Sequence, residues 1–301
     1  MGCHPNTYKL DPCIAYCAQP RYIASLQDPF PKLTVFERNQ DWGKELQIGL
    51  SFAKELDLYR AVTAFKRALV LIPCQHKERI CQLQYSIILA YYLGHKYQEA
   101  IEAFECSDLT ETGAEFPAFQ TLLLILQDAY TQDERCDRAE VLMEHLKVHF
   151  PDQAIDQTIS HAIQCGEFGI AQTSALGTCR EECVNSMVNN YCSCAKSPRK
   201  AQWLNALLPG AGYYYVGQKK SAFTSLVINA LFTWAAYEFY HRGYYAAGAI
   251  TTSLEMGWYF GGINGAGLAA KEFNEHTFNF LGKELLLQCN LFPVLMIRCG
   301  F

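Results

Sequence analysis

The sequence predicts an all-α protein, a solenoid of helical hairpins followed by a glycine-rich pair of long helices. Three observations carry that reading. The small residues Ala61, Ala100 and Ala139 recur at equal distances. Two runs, 222–240 and 244–270, are almost free of charge. A Pro-Gly-rich break at 207–212 separates these runs from everything before them.

The totals set the limits within which these elements must fit. The chain has 301 residues, half of them hydrophobic, 18% charged and 13% aromatic, with a formal net charge of −5. A chain of this length and apolar content buries a substantial core, which excludes disorder over most of it. The length suggests about two domains. The slightly acidic balance excludes a nucleic-acid-binding surface covering the whole molecule.

Residues 1–39 read as an irregular leader, because Pro5, Pro12, Pro20, Pro29 and Pro31 interrupt any helix there. No basic segment followed by an apolar run of signal-peptide length opens the sequence, so no cleavable export signal is expected. Gly2-Cys3 satisfies neither lipidation pattern. Asn6 stands where myristoylation requires Ser or Thr, and no apolar run precedes Cys3.

Residues 40–195 carry the repeats. After Trp42 the first unit places Ile48, Gly49, Phe52, Ala61, Phe65 and Ala68, and ends at Pro73. Small and large residues alternate there as two antiparallel helices need in order to interlock. A second unit carries Ile87, Tyr91, Ala100 and Phe104, and a third carries Leu126, Tyr130, Ala139, Met143 and Pro151. These residues resemble the tetratricopeptide repeat, with each unit about five residues longer than that family's 34-residue period. The extra length falls in loops around 74–77 and 110–115, where insertion is tolerated. A degenerate fourth unit with Ala162, Phe168 and Ala171 reads as a capping hairpin over 152–195. The resemblance covers roughly residues 40–175 and implies the fold while staying silent on any ligand, with each named aromatic and alanine a packing residue.

Residues 196–275 differ in composition. Lys196-Ser197-Pro198-Arg199-Lys200 reads as a short basic linker, and the break containing Pro209, Gly210, Gly212 and Gly217 as an interfacial lead-in. The run 222–240 matches the length needed to cross a hydrocarbon core of about 30 Å. His241-Arg242-Gly243 then connects to a second run whose one charged residue before Lys271 is Glu255. Gly257, Gly261 and Gly265 repeat every fourth residue, so the expectation is a side-chain-free groove packed on Ser225, Asn229, Thr233 and Ala236. Gly248, Glu255 and Gly262 form a separate stripe, roughly opposite. Glu238 and Arg242 have the spacing of a helical ion pair.

The Lys-Ser-Pro segment, the Leu-Pro-Gly-Ala-Gly turn, Gly217, Glu255-x-Gly257-Trp258-Tyr259 and Gly261-x-Ile263-x-Gly265-Ala266 are similar to an uncharacterised bacterial cell-envelope family. Its members couple tetratricopeptide repeats to this small membrane-hairpin domain. The resemblance implies attachment to a bacterial inner membrane or envelope and no activity. Tyr213 stands where that family often has Gln. Lys196, Arg199, Lys200, Lys219 and Lys220 before the first run, with Arg242 alone in the connector, place both ends in the cytosol. The resemblance to an exported family implies the opposite side. Residues 276–301 read as a C-terminal tail.

No catalytic constellation, cofactor or metal is expected. Among fourteen cysteines, Cys179, Cys183, Cys192 and Cys194 are the candidate metal ligands, although their spacing forms no CxxC pair. A disulfide or plain thiols are the other readings of the four. The 210–217 stretch lacks the Gly-Lys-Ser/Thr ending of a phosphate-binding loop. His145 and His149 lack a convincing third ligand. Three functions compete: a non-enzymatic membrane-attached scaffold binding a protein or peptide; a small oligomeric channel or carrier using Glu255, with a homo-oligomer through the hairpin; and a cysteine-cluster metalloprotein.

Overall fold

The structure, a computed structural model, describes residues 10, 12, 14, 16 and 20–301. Gly2, Cys3 and Pro5 lie outside the described residues. Helices follow one another as α1 (Pro20–Ser25), α2 (Val35–Asn39), α3 (Asp41–Lys54), α4 (Leu58–Leu71), α5 (Lys77–Leu93) and α6 (Tyr97–Glu105), then a 3-10 turn at Asp108–Glu111. The order continues with α7 (Phe119–Gln132), α8 (Cys136–His149), α9 (Pro151–Gln164), α10 (Phe168–Ala175) and α11 (Glu181–Cys194). It ends with α12 (Pro198–Leu207), α13 (Ala211–Val216), α14 (Lys219–His241), α15 (Tyr245–Gln288) and α16 (Pro293–Met296). Among the described residues the protein is all-helical apart from one isolated bridge, Gln27 to Cys299.

Two compact units emerge. One takes residues 15–163, 169–178 and 286–301; the other takes residues up to 14, 164–168 and 179–285. The first is built on the hairpins α3/α4, α5/α6 and α7/α8. Ala61, Ala100 and Ala139 are buried where the helices approach, and a Cβ on Gly49 would lie 2.4 Å from Phe65 Cε1. Each hairpin closes with the same turn. Asp57 N donates to Phe52 O, Lys96 N to Tyr91 O and Arg135 N to Tyr130 O, all at 2.9 Å. Leu56, His95 and Glu134 sit between these bonds at φ +59°, +56° and +60°. A left-handed residue is what a 6→1 helix-ending bond requires, and its recurrence three times is a structural repeat. Phe52, Tyr91 and Tyr130 thus supply the accepting carbonyls. Phe104 is half-buried, while Pro73 and Pro151 lie exposed at helix boundaries.

The structure departs from the sequence expectation at both ends. The leader contains α1 and α2, and its Ile23 and Phe30 belong to the same core as Phe65 and Tyr85. Pro20 falls at the first position of α1, where a missing N–H is harmless. Thr34 and Glu37 form a reciprocal capping box that starts α2. At the other end α15 runs through to Gln288, and residues 286–301 group with the repeats.

The second unit also corrects two readings. The expected basic linker is a built joint. Asn274, fully buried, accepts from Lys196 N at 2.7 Å and donates to Lys196 O at 2.8 Å. Ser197 caps α12, and the Lys196 and Lys200 ammonium groups lie over the Tyr215 ring at 5.3 and 5.1 Å. The Pro-Gly turn is a close-approach knot. Gly210, at φ +94°, donates its N–H to Asn205 Oδ1 at 2.8 Å, and any Cβ there would strike Ala222 O. A Cβ on Gly212 would strike Ala201 O at 2.2 Å. Gly217 ends α13 at φ +96° with open space around it.

The α14/α15 hairpin turns at Gly243, φ +80°, with Tyr244 N donating to Phe239 O. Glu238 and Arg242 form the ion pair their spacing suggests, at 2.6 Å. The facing stripe is not the expected one. A Cβ on Gly248 would lie 2.8 Å from the Tyr240 ring, and one on Gly262 3.2 Å from Asn205 Nδ2, so this stripe supplies the seats. Gly257 and Gly261 have nothing within 4 Å of a Cβ, and a Cβ on Gly265 meets the Tyr213 hydroxyl. Glycine spacing fixes which residues share a face but not what that face meets.

Candidate functional site

Two surfaces stand out, one in each unit. In the first unit, residues of α5 and α7 hold the backbone of the chain's own C-terminal segment. Tyr85 Oη donates to Cys299 O at 2.9 Å, and Cys299 N donates to Thr121 Oγ1 at 3.3 Å. Tyr22 Oη donates to Leu295 O at 2.7 Å and to Ile297 O at 3.1 Å, while Gly300 N donates to Gln27 O at 2.9 Å. Ile297 and Phe301 are buried, with the Phe301 ring 6.3 Å from Phe65 in a stacked arrangement. Burial pushes the Tyr85 hydroxyl well above its ordinary pKa, so it remains a neutral donor. The same hairpins bury Tyr92, whose hydroxyl donates to Asp128 Oδ2 at 2.6 Å; burial raises both groups.

Arg79 fixes residues 31–37, which lead from the buried Phe30 into α2. Its guanidinium donates to Glu37 through Nε at 2.9 Å and Nη2 at 3.2 Å, to Pro31 O and Gln82 Oε1 at 2.7 Å, and to Lys32 O at 3.3 Å. The Arg79 hydrogen bonds, ahead of the bonds from Thr34, hold the Glu37 carboxyl down at about 2. Sequence reading missed Tyr22, Arg79, Tyr85 and Thr121. The signal available was the apolar run 291–297, too short to span anything and too apolar to stay in water.

The second surface is a groove of about 780 Å³ between α14 and α15. Gly257, Gly261, Leu254 and Trp258 form one wall, and Thr224, Ser225, Ile228 and Asn229 the other, with Lys220 and Tyr213 at one end. Asn229 is 6% exposed; its Nδ2 donates to Ser225 O at 2.6 Å, and its Oδ1 has no hydrogen-bond partner. Glu255 Oε2 is likewise buried and unpartnered. The outer sides of the hairpin expose large side chains, among them Phe223, Leu231, Trp234, Tyr237, Met256 and Phe260. No helix among the described residues is long and apolar enough to cross a membrane. Serine, threonine, asparagine, glycine, tyrosine and tryptophan dilute both runs, which corrects the spanning length inferred from low charge alone.

The cysteine cluster does not assemble. Among the described residues no group of three His, Cys, Asp or Glu side chains could hold a metal ion. Cys192 is disulfide-bonded, whereas Cys179 and Cys194 are free thiols. With its sulfur in a disulfide, Cys192 is not a thiolate ligand in this structure. No known family, curated protein or solved structure matches the chain.

Proposed function

We propose that the protein is a non-enzymatic scaffold, its tetratricopeptide-like repeats binding an extended protein segment and its glycine-rich hairpin attaching it to a membrane. One observation carries the binding half: Tyr85 and Thr121, from successive hairpins, grip the main chain at Cys299. Contacts to backbone atoms read an extended conformation rather than a particular sequence, which suits a docking face. In the resting molecule residues 295–301 occupy that face. A partner segment therefore competes with the chain's own.

The attachment half is supported by the apolar surface that large side chains of α14 and the first half of α15 expose. Trp and Tyr are prominent in it, and both residues favour the boundary between lipid and water. We assign attachment to the flank of the hairpin, lying in the membrane surface.

A peptide of sequence Pro293 to Phe301, added in excess to the full chain, tests the first half. Loss of hydrogen-exchange protection at the Cys299 and Gly300 amides is the expected result; unchanged protection at saturating peptide would refute it. Flotation of the chain with liposomes tests the second, and a chain left at the bottom of the gradient refutes it. The channel reading rests on the orphaned Glu255 oxygen and predicts ion flux through vesicles that Glu255→Gln abolishes.

A further inference from the structure

Gln82 lies inside α5 and is 3% exposed. Its Oε1 accepts from Arg79 Nη1 at 2.7 Å, and because a guanidinium only donates, this bond fixes which way round the amide sits. The Nε2 group is thereby turned away from Arg79. It makes no hydrogen bond among the described residues, yet, unlike Asn229 Oδ1, it is not sealed from solvent. Gln82 opens instead on a cavity of about 480 Å³. A nearly buried donor with no acceptor is unfavourable, and an occupant that brings an oxygen into the cavity relieves it.

The rest of the lining indicates what else that occupant carries. Phe30 and Phe116, with ring centroids 5.6 Å apart and planes tilted by 52°, make one aromatic wall, continued by Pro31 and Pro117. At the mouth the exposed Glu78, Glu111 and Glu115 stand against the ammonium of Lys77, since the Arg79 charge is met by Glu37. The cavity therefore runs from an amide donor, along an aromatic wall, to a rim of net negative charge. We propose that it binds a small phenolic alkylamine, with the phenol oxygen accepting from Gln82 Nε2, the ring against Phe30 and Phe116, and the ammonium at the glutamates. The site lies within the first unit and stands whether or not the repeats bind a peptide.

Cys81, a free thiol on the cavity wall, reports occupancy in the full chain. Its alkylation by iodoacetamide is followed by mass spectrometry, with the exposed Cys74 and Cys106 as internal controls. Tyramine should slow the alkylation of Cys81 saturably and leave both controls unchanged. Phenethylamine, which lacks the oxygen, should need about fivefold more for the same protection, the equivalent of about one hydrogen bond. Tyrosine, whose carboxylate meets the glutamate rim, should also need about two- to fivefold more. In Gln82→Met, where Arg79 Nη1 keeps its bond to Pro31 O, tyramine and phenethylamine should protect equally. Glu111→Gln combined with Glu115→Gln, both at exposed positions, should weaken the two amines alike, by about two- to fivefold.

Equal protection of the unaltered chain by tyramine and phenethylamine would overturn the proposal, because the phenol would then have no partner at Gln82, and this comparison requires no variant to fold. No protection by either amine at millimolar concentration, or tyrosine as effective as tyramine, would overturn it as well. Protection by N-acetyltyrosinamide but not by tyramine would give the cavity to a tyrosine of a protein partner and remove the small amine from it.

Discussion

Replacing Arg79 by methionine removes five hydrogen bonds, four that hold residues 31–37 against α5 and one to Gln82 of α5 itself, and leaves most of the side-chain volume in place. The Glu37 side chain, 13% exposed, is then a carboxylate without its cation. Two backbone carbonyls and Gln82 Oε1 lose their donor as well. Breaking such a pair from one side destabilises by about 3–5 kcal/mol. Thr34 keeps two bonds to Glu37, at 2.7 and 2.9 Å, so the lower end, about 3 kcal/mol, is expected at pH 7.

The acid limb gives a second reading of the same interaction. The folded carboxyl is held at about 2 against 4.5 for the free group. A depressed carboxyl contributes stability that is complete above pH 4.5 and is lost as the pH falls toward 2. At about 1.4 kcal/mol for each pH unit, and reduced because the carboxylate reaches the solvent edge, the loss is about 2 kcal/mol. Urea unfolding followed through Trp42, in a background with Trp203, Trp234 and Trp258 changed to Phe, reports on this unit. The wild-type chain should lose about 2 kcal/mol more than Glu37→Gln between pH 5 and pH 2. If Arg79→Met lies within about 0.5 kcal/mol of wild type at pH 7, or the acid slope survives in Glu37→Gln, the reasoning fails.

Gly49→Val drives a side chain into Phe65 and should destabilise the repeats by about 1–3 kcal/mol in the same unfolding assay, or more where the ring cannot move. Glu134→Gly, at an exposed left-handed position, should stabilise by about 1 kcal/mol; a loss would mean that the turn is not formed. Gly248→Leu should lower the melting temperature through collision with Tyr240, whereas Gly257→Ala and Gly261→Ala should raise helix stability by about 1 kcal/mol each. Equal effects at the three glycines, read by thermal melting, would remove the assignment of the facing stripe.

The repeats were legible because close helix approach demands small residues, and alanine at a fixed period leaves a visible mark. Their turns were not. Leu56, His95 and Glu134 adopt a conformation that glycine normally announces, and nothing in a leucine, a histidine or a glutamate marks it. The joint at Lys196 was hidden for a related reason. A Lys-Ser-Pro-Arg-Lys stretch has the composition of a linker, and only the distant Asn274 turns its backbone into a fixed contact. The tail was hidden most completely, since its partners Tyr22, Tyr85 and Thr121 precede it by more than 170 residues. Long-range pairing by single side chains has no period and so leaves no pattern in the chain.

The glycines of α15 separate what the hairpin uses for itself from what it leaves over. A glycine inside a helix costs about 1 kcal/mol relative to alanine, and a helix carrying many of them needs a return at each. Gly248 seats Tyr240, Gly262 lies against Asn205, Gly265 receives the Tyr213 hydroxyl and Gly267 the Gln202 amide, so at these four the missing side chain is a packing surface. Gly257 and Gly261 have no such return, for a methyl group at either position would meet nothing. Asn229 across the groove repeats the imbalance in polar form, a buried acceptor left without a donor. Stability alone would favour alanine at both glycines and an apolar residue at 229. The hairpin thus keeps two glycines and one buried acceptor whose cost its own packing does not offset, while its neighbouring glycines each seat a side chain.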